Sequence, residues 1–375
     1  MIETSMNFND LHKQYRAYQS EIDAAIQQTI DNSAFINGPE IGKLEEELAA
    51  FTGVKHAISC SSGTDALLLS LMALDVQPGD EIICPAFSFI ASASMISFYR
   101  AKPVFVDVSP VDFNLDITQI EERIGPKTKG IIAVSLFGQC ANFDEINAIA
   151  HKHGLWVIED GAQSFGATYK GKRSCSLTHL ATTSFFPAKP LGCYGDGGAI
   201  FTDDPKLASQ IKMLRSHGQK ARYVHQEIGI NGRIDTLQAA ILRVKLRHFE
   251  DEIQKRQRAA ERYSEKLKGH VLLPEITPDK QSVWAQYTVI LENRDEVKAQ
   301  LAQQGIPTTV HYPVILPKQE AFQADIVFHE KFEAASLLAD TVLSLPMHAF
   351  ITDAEIDLVT DTLLGIVEQT QELHP

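Results

Sequence analysis

The stretch FDEINAIAHKHGLWVIEDGAQS, residues 143–164, decides the fold. Apolar residues at helical spacing, followed by a basic turn and Gly154, predict a helix over Phe143–His153. The next residues, 155–159, form a short apolar run that predicts a buried strand. A helix feeding directly into such a strand is the unit of a mostly parallel sheet covered on both faces. Sheets of that kind place ligands at the carboxyl ends of their strands. The residue delivered to that end here is Asp160.

Working outward, residues 57–61, 81–85, 104–108, 130–136, 182–186 and 199–202 also read as strands, rich in Ile and Val and bounded by Gly, Pro and Asp. Residues 43–51, 65–74 and 205–214 read as helices between them. A long helical pattern follows over 235–267, densely charged after Arg243. It predicts a large α/β domain over 1–249 and a smaller α+β domain over 250–375. In the smaller domain 286–291 reads as a strand, with 294–304 and 353–369 as helices. No internal repeat or low-complexity segment interrupts the chain.

At 375 residues, with 44% hydrophobic and 22% charged residues, the chain can bury a substantial core. Its net charge of −14 argues against a nucleic-acid partner or an anionic membrane surface, though not against a local basic pocket for an anionic substrate. Five scattered cysteines without C-x-x-C spacing point to reduced thiols, not a disulfide framework or a zinc site. Met1-Ile2-Glu3-Thr4 opens no leader pattern and no apolar run has the length of a membrane span, so a cytoplasmic protein is expected. His151 and His153 stand at i and i+2 of a helix, on different faces, and are expected at the surface with no metal between them.

Three strand ends carry the chemistry. Ser61-Ser62-Gly63-Thr64-Asp65 joins a strand to an apolar helix, where free amides and the Thr64 hydroxyl can hold a phosphate. Asp160 brings a buried carboxylate that needs a cation, and a protonated pyridine nitrogen is such a cation. Ser184 and Lys189 lie five positions apart before the glycine cluster Gly192, Gly195, Gly197 and Gly198. A desolvated lysine is a neutral nucleophile able to take an aldehyde as a Schiff base. Each motif alone fits an ordinary loop, cap or turn. Together they supply a phosphate cradle, a partner for a ring nitrogen and an aldehyde-binding amine, which describes pyridoxal 5′-phosphate. The run Gly195-Asp196-Gly197-Gly198 lacks the spacing of a dinucleotide fingerprint, and neither a nucleophile elbow nor a P-loop is present.

These motifs, with Asn231-Gly232-Arg233-Ile234-Asp235 and His311-Tyr312-Pro313, resemble those of the DegT-type nucleotide-sugar aminotransferases, in the same order across nearly the whole chain. The resemblance implies an aspartate-aminotransferase-like fold (fold type I) and a transaminase. It makes Lys189 and Asp160 the catalytic pair. It places Gly63, Thr64 and Ser184 on the phosphate, Gln163 by the ring oxygen and Phe89 against the ring, where ordinary core packing is the alternative. Asn231 would reach the phosphate of a neighbouring subunit, which implies a homodimer with shared sites. Ser33, Phe35, Arg233, His311 and Tyr312 would line the sugar-nucleotide pocket.

Residues 134–140, 169–175 and 189–198 are similar to one branch, the UDP-2-acetamido-2-deoxy-3-oxo-glucuronate aminotransferases. That likeness implies a UDP-sugar substrate with a C3 ketone, glutamate as amino donor, and a place in making bacterial surface polysaccharide such as O-antigen. Three departures from the family pattern touch the pocket: Gly161 stands for an expected alanine, Ala188 for a serine and Phe35 for a tyrosine. The rival readings are an aminotransferase for a 4-keto-6-deoxy nucleotide sugar and a non-catalytic regulatory protein on the same fold. Lys189, Asp160 and Ser184 argue against the latter.

Overall fold

The computed structural model describes residues 6–322 and 331–373, so Met1-Ile2-Glu3-Thr4 lie outside the described residues. Seven short strands form one sheet: β1 (His56–Cys60), β2 (Glu81–Pro85), β3 (Lys102–Val106), β4 (Thr128–Val134), β5 (Trp156–Asp160), β6 (Leu180–Ser184) and β7 (Gly198–Thr202). Their order is β1-β7-β6-β5-β4-β2-β3. Neighbours run parallel except β7, which is antiparallel to both β1 and β6.

The large unit carries α1 (Leu11–Asp31), α2 (Pro39–Thr52), α3 (Gly63–Ala73), α4 (Ala91–Phe98), α5 (Phe143–His153) and α6 (Pro205–Leu214). Further on come α7 (Thr236–Leu267), α8 (Arg294–Gln303), α9 (Glu333–Thr341) and α10 (Asp353–Leu373). Because strand side chains alternate, one face of the sheet presents Ile58, Ile82, Ile132, Ile158 and Ile200 to α3, α4 and α6. The other presents Ile83, Ile131, Val157 and Phe201 to α2, α5 and the first half of α7. Each such side chain contributes about 1.5–3 kcal/mol by leaving water. A continuous apolar run is therefore satisfied only as a doubly covered strand.

Register sets the functional edge. Val134 lies opposite Asp160, Asp160 opposite Thr182, Ser184 opposite Gly198, and Gly198 opposite Cys60. The ends of β4, β5, β6 and β1 thus share one rim. Strands β3, β4 and β6 end two residues before their sequence patterns do. The reason is that Val108, Leu136 and Phe185, just beyond those ends, are buried in loops packed against the same core.

In the smaller unit β8 (Tyr287–Ile290) pairs antiparallel with β9 (Val342–Leu345). Tyr263, Tyr287, Leu301, Leu343 and Val359 form its core. Helix α7 runs unbroken through the division expected at 249/250. Its Phe249 and Ile253 belong to the large unit's core, while Ala259, Ala260 and Tyr263 belong to the small one's. One helix therefore serves both cores. Among the described residues no helix is long and apolar enough to cross a membrane. All five cysteines are buried and free.

Candidate active site

A cavity of about 440 Å³ opens at the shared rim, within the size range of small-ligand sites. Gly63, Thr64, Phe89, Asp160, Gln163, Ser184, Lys189, His311 and Tyr312 all line it. Helix α3 starts at the cavity wall, with the Ser62 hydroxyl accepting from the Asp65 N–H at 3.0 Å. The first amides of a helix have no partner within it, and its dipole favours an anion there. Gly63 touches the end of β6 so closely that an added Cβ would stand 2.7 Å from the Ser184 Cβ. Only glycine lets the helix start and the Ser184 hydroxyl face one point. The arrangement can hold a phosphate.

Asp160 and Lys189 face each other across the cavity's base. Burial pushes the Asp160 carboxyl above its ordinary range, opposed by the Ala162 N–H at 3.1 Å and by the charge of Lys189. Burial pushes the Lys189 amine down, with Asp160 pulling the other way. A cation set against Asp160 would favour its charged form, and a neutral Lys189 is a nucleophile. The residues present therefore fit pyridoxal phosphate at three separate points.

The remaining wall is a paired network. Gln163 accepts from the Phe137 N–H at 2.9 Å and donates to the Tyr312 hydroxyl at 3.0 Å. His311 Nδ1 meets the Ser344 hydroxyl at 2.9 Å. Burial and the charge of Lys189 bring His311 down to about 4, so it is neutral near pH 7. Burial raises the Tyr312 phenol. Phe89 is 52% exposed and tilts against Tyr312 at 6.1 Å, so it is a wall of the cavity and not part of the core.

Gly161, where the resemblance implies alanine, has a local cause. Glu159 is fully buried, and its carboxylate accepts from the Ser174 hydroxyl at 2.6 Å and the Cys175 and Leu177 N–H groups at 2.8 and 3.2 Å. Burial lifts it to about 7 against those bonds. This clamp seats Cys175 so that a Cβ on residue 161 would lie 2.6 Å from its Sγ. Gly161→Ala is expected to cost about 1–3 kcal/mol by overpacking. The double variant with Cys175→Ala should recover most of it in chemical denaturation. Equal losses in the single and double variants would refute the clash.

Ser33, Phe35, Asn231 and Arg233 do not line this cavity. They gather near the start of α7, where Phe35 C=O accepts from the Thr236 N–H at 3.0 Å. Asn231 and Ser33 are exposed, and Arg233 keeps a buried Nε without a partner. Ala188 lines the cavity, as expected for its position, with only a methyl group to offer. Sequence reasoning gave no role to Asp196 or Gln286, which also line it. Asp196 lies within the run Gly195-Asp196-Gly197-Gly198, whereas no motif marks Gln286. His151 and His153 are exposed, and no metal-binding cluster occurs among the described residues.

Fold and site together define an enzyme that uses pyridoxal phosphate. Residues 16–364 match the DegT/DnrJ/EryC1/StrS aminotransferase family, and the chain belongs to that family. It is 50% identical over 359 residues to the UDP-2-acetamido-2-deoxy-3-oxo-D-glucuronate aminotransferase of Pseudomonas aeruginosa, covering 96% of this chain and 99% of that one. Among solved structures, S. venezuelae DesV in complex with a ketimine intermediate superposes with a TM-score of 0.95 at 37% identity, covering 97% and 99% of the two chains. Bacillus subtilis NtdA with bound pyridoxamine phosphate gives 0.92 at 30% identity, covering 98% and 86%. The fold is thus the aspartate-aminotransferase type, and the cofactor is the family's.

Proposed function

We propose that the chain transfers an amino group from glutamate to the C3 carbonyl of UDP-2-acetamido-2-deoxy-3-oxo-glucuronate. The observation that carries this reading is the 50% identity to the Pseudomonas aeruginosa enzyme, spread over almost the full length of both chains. The cavity supplies the matching chemistry. When bound, the cofactor offers an aldehyde for the incoming amine and a ring that accepts the electrons left by a departing proton.

The protein's own residues do the rest. Gly63, Thr64 and Ser184 hold the phosphate, and Gln163 and Phe89 fix the ring's plane. Asp160 keeps the ring nitrogen positive, which strengthens its pull on electrons. Lys189 would hold the cofactor's aldehyde through its Nζ, and as a free amine it would carry a proton to and from the substrate carbon. The same lysine serves the glutamate half and the sugar half, so the reaction alternates between two substrates. Phe89, Tyr312 and His311 line the wall beside the exchanging amine.

Ser33, Phe35, Asn231 and Arg233 lie outside this chain's own cavity, and we assign them to the cavity of a second copy in a homodimer. In that arrangement Asn231 reaches the phosphate. Arg233 meets the carboxylate or diphosphate of the sugar nucleotide, for which its planar fork is suited. The expected setting is the cytoplasm, within the assembly of a bacterial surface polysaccharide such as O-antigen.

The test offers the purified enzyme, with glutamate, either the UDP-linked 3-oxo uronate or a 4-keto-6-deoxy nucleotide sugar. The expected kcat/KM ratio favours the uronate by about 10³ or more, since a site built for a polar group rejects analogues lacking it. Preference for the 4-keto-6-deoxy sugar would replace this reading with the rival one.

A further inference from the structure

One face of α7 carries three buried charges that the chemistry above leaves without a task. Lys245, Glu252 and Arg256 stand at i, i+7 and i+11 of that helix and are 2%, 1% and 3% exposed. A charge taken that far from water is costly, and an apolar side chain would fill the same space with a smaller penalty. Glu252 accepts from the Gln14 amide at 2.9 and 2.8 Å, and Arg256 donates to the Trp284 C=O at 3.1 Å. The Lys245 ammonium donates to the Gly192 C=O and stands 5.4 Å from the centre of the Tyr194 ring. Burial brings its amine down to about 8, with Glu252 pulling the other way, so it is mostly a cation near pH 7.

Gly192 belongs to the turn that carries Lys189. The Lys189 N–H donates to the Phe186 C=O and the Cys193 N–H to the Phe185 C=O, both at 2.8 Å. Gly192 closes that turn, since an added Cβ there would stand 2.4 Å from the Pro187 backbone oxygen and 2.7 Å from that of Phe186. A carbonyl held at Gly192 therefore fixes the peptides on which the Lys189 backbone rests. Gln238, on the same face of α7, steadies the returning limb: it accepts from the Tyr194 N–H at 2.8 Å and donates to the Tyr194 C=O at 3.2 Å. We propose that Lys245 is a positioning residue, whose hydrogen bond to Gly192 holds this turn so that the Lys189 amine faces the place of the cofactor's aldehyde. Lys245 does not line the cavity, so it acts on the reaction through Lys189. The inference rests on Lys189 as the point of attachment.

Lys245→Met keeps the side chain's length and removes the donor, and Lys245→Leu repeats the test in case the methionine disturbs packing. The expected kcat falls about 10–100-fold, with KM for either substrate within about threefold of wild type. Cofactor-free protein mixed with pyridoxal phosphate should develop the absorbance of the attached cofactor about fivefold or more slowly in the variants. The decisive arm uses the Lys189→Ala protein, followed as the slow absorbance change of its bound cofactor with glutamate. There Lys245→Met should slow the change less than about twofold, because a residue acting through Lys189 has nothing left to position. A loss in that background as large as with Lys189 present would overturn the inference. So would a kcat and an uptake rate both within about twofold of wild type. Failure of both variants to fold would make Lys245 a structural support and overturn it as well. If Lys189→Ala keeps its turnover, the reading of Lys189 itself fails, and the inference falls with it.

Discussion

Lys189→Ala is expected to lower turnover by about 10⁴-fold or more while the protein folds as the wild type does. The size of the effect follows from two tasks resting on one amine. Lys189 lines the cavity as its nucleophile, and burial lowers the pKa of its amine, which favours the neutral, reactive form. It is also the group within the cavity best placed to carry a proton back and forth. Stability should not suffer, because removing a desolvated amine also removes its burial penalty. Steady-state kinetics and thermal unfolding on the same preparation check both halves of the prediction. Turnover within tenfold of wild type would mean that another residue holds the cofactor.

Asp160→Asn should cost about 10²–10³-fold in kcat with the cofactor supplied in excess. An amide can still accept from the Ala162 N–H, which the carboxylate does now at 3.1 Å, so the turn after β5 is preserved. What disappears is the negative charge that burial has already made expensive to hold. A protonated ring nitrogen repays that expense, since an opposite charge at contact distance shifts a pKa by about 1–3 units. The asparagine variant should therefore bind the cofactor yet withdraw electrons poorly. Comparing kcat with the dissociation constant of the cofactor separates the two effects. A variant that loses affinity but keeps kcat would assign Asp160 to binding alone.

Much of this site was legible along the chain because its parts are local. Helix α5 begins at Phe143 and ends at His153, where the 3.6-residue pattern and Gly154 place it. Asp160 sits at a strand end because the apolar run before it has nowhere else to go. The glycine at 63, the hydroxyl at 184 and the lysine at 189 each lie within a few residues of a strand end. Those ends meet because the register of β1, β7 and β6 brings them together.

What escaped notice depends on distant contacts. Helix α1 buries Gln14, Tyr18, Ile22 and Thr29, a mixture too polar to mark a core face. The reason for Gly161 lies far along the chain, because Cys175, held by Glu159, occupies the space that a methyl group at 161 would need. Gln286 carries no motif, and its place in the wall follows only from how the smaller unit docks through the Phe137 turn. Ser33 and Phe35 are near Asn231 and Arg233 through the Phe35–Thr236 bond, a pairing that spacing along the chain does not suggest.

The chemistry assigned to this cavity depends on where the cofactor is attached. Borohydride reduction of the pyridoxal-phosphate-loaded enzyme fixes the link, and peptide mass spectrometry then finds it. The expected result is one modified peptide, containing Ser184 through Lys189, with the cofactor's mass on Lys189. A cofactor adduct on any other lysine, with Lys189 unmodified, would contradict it.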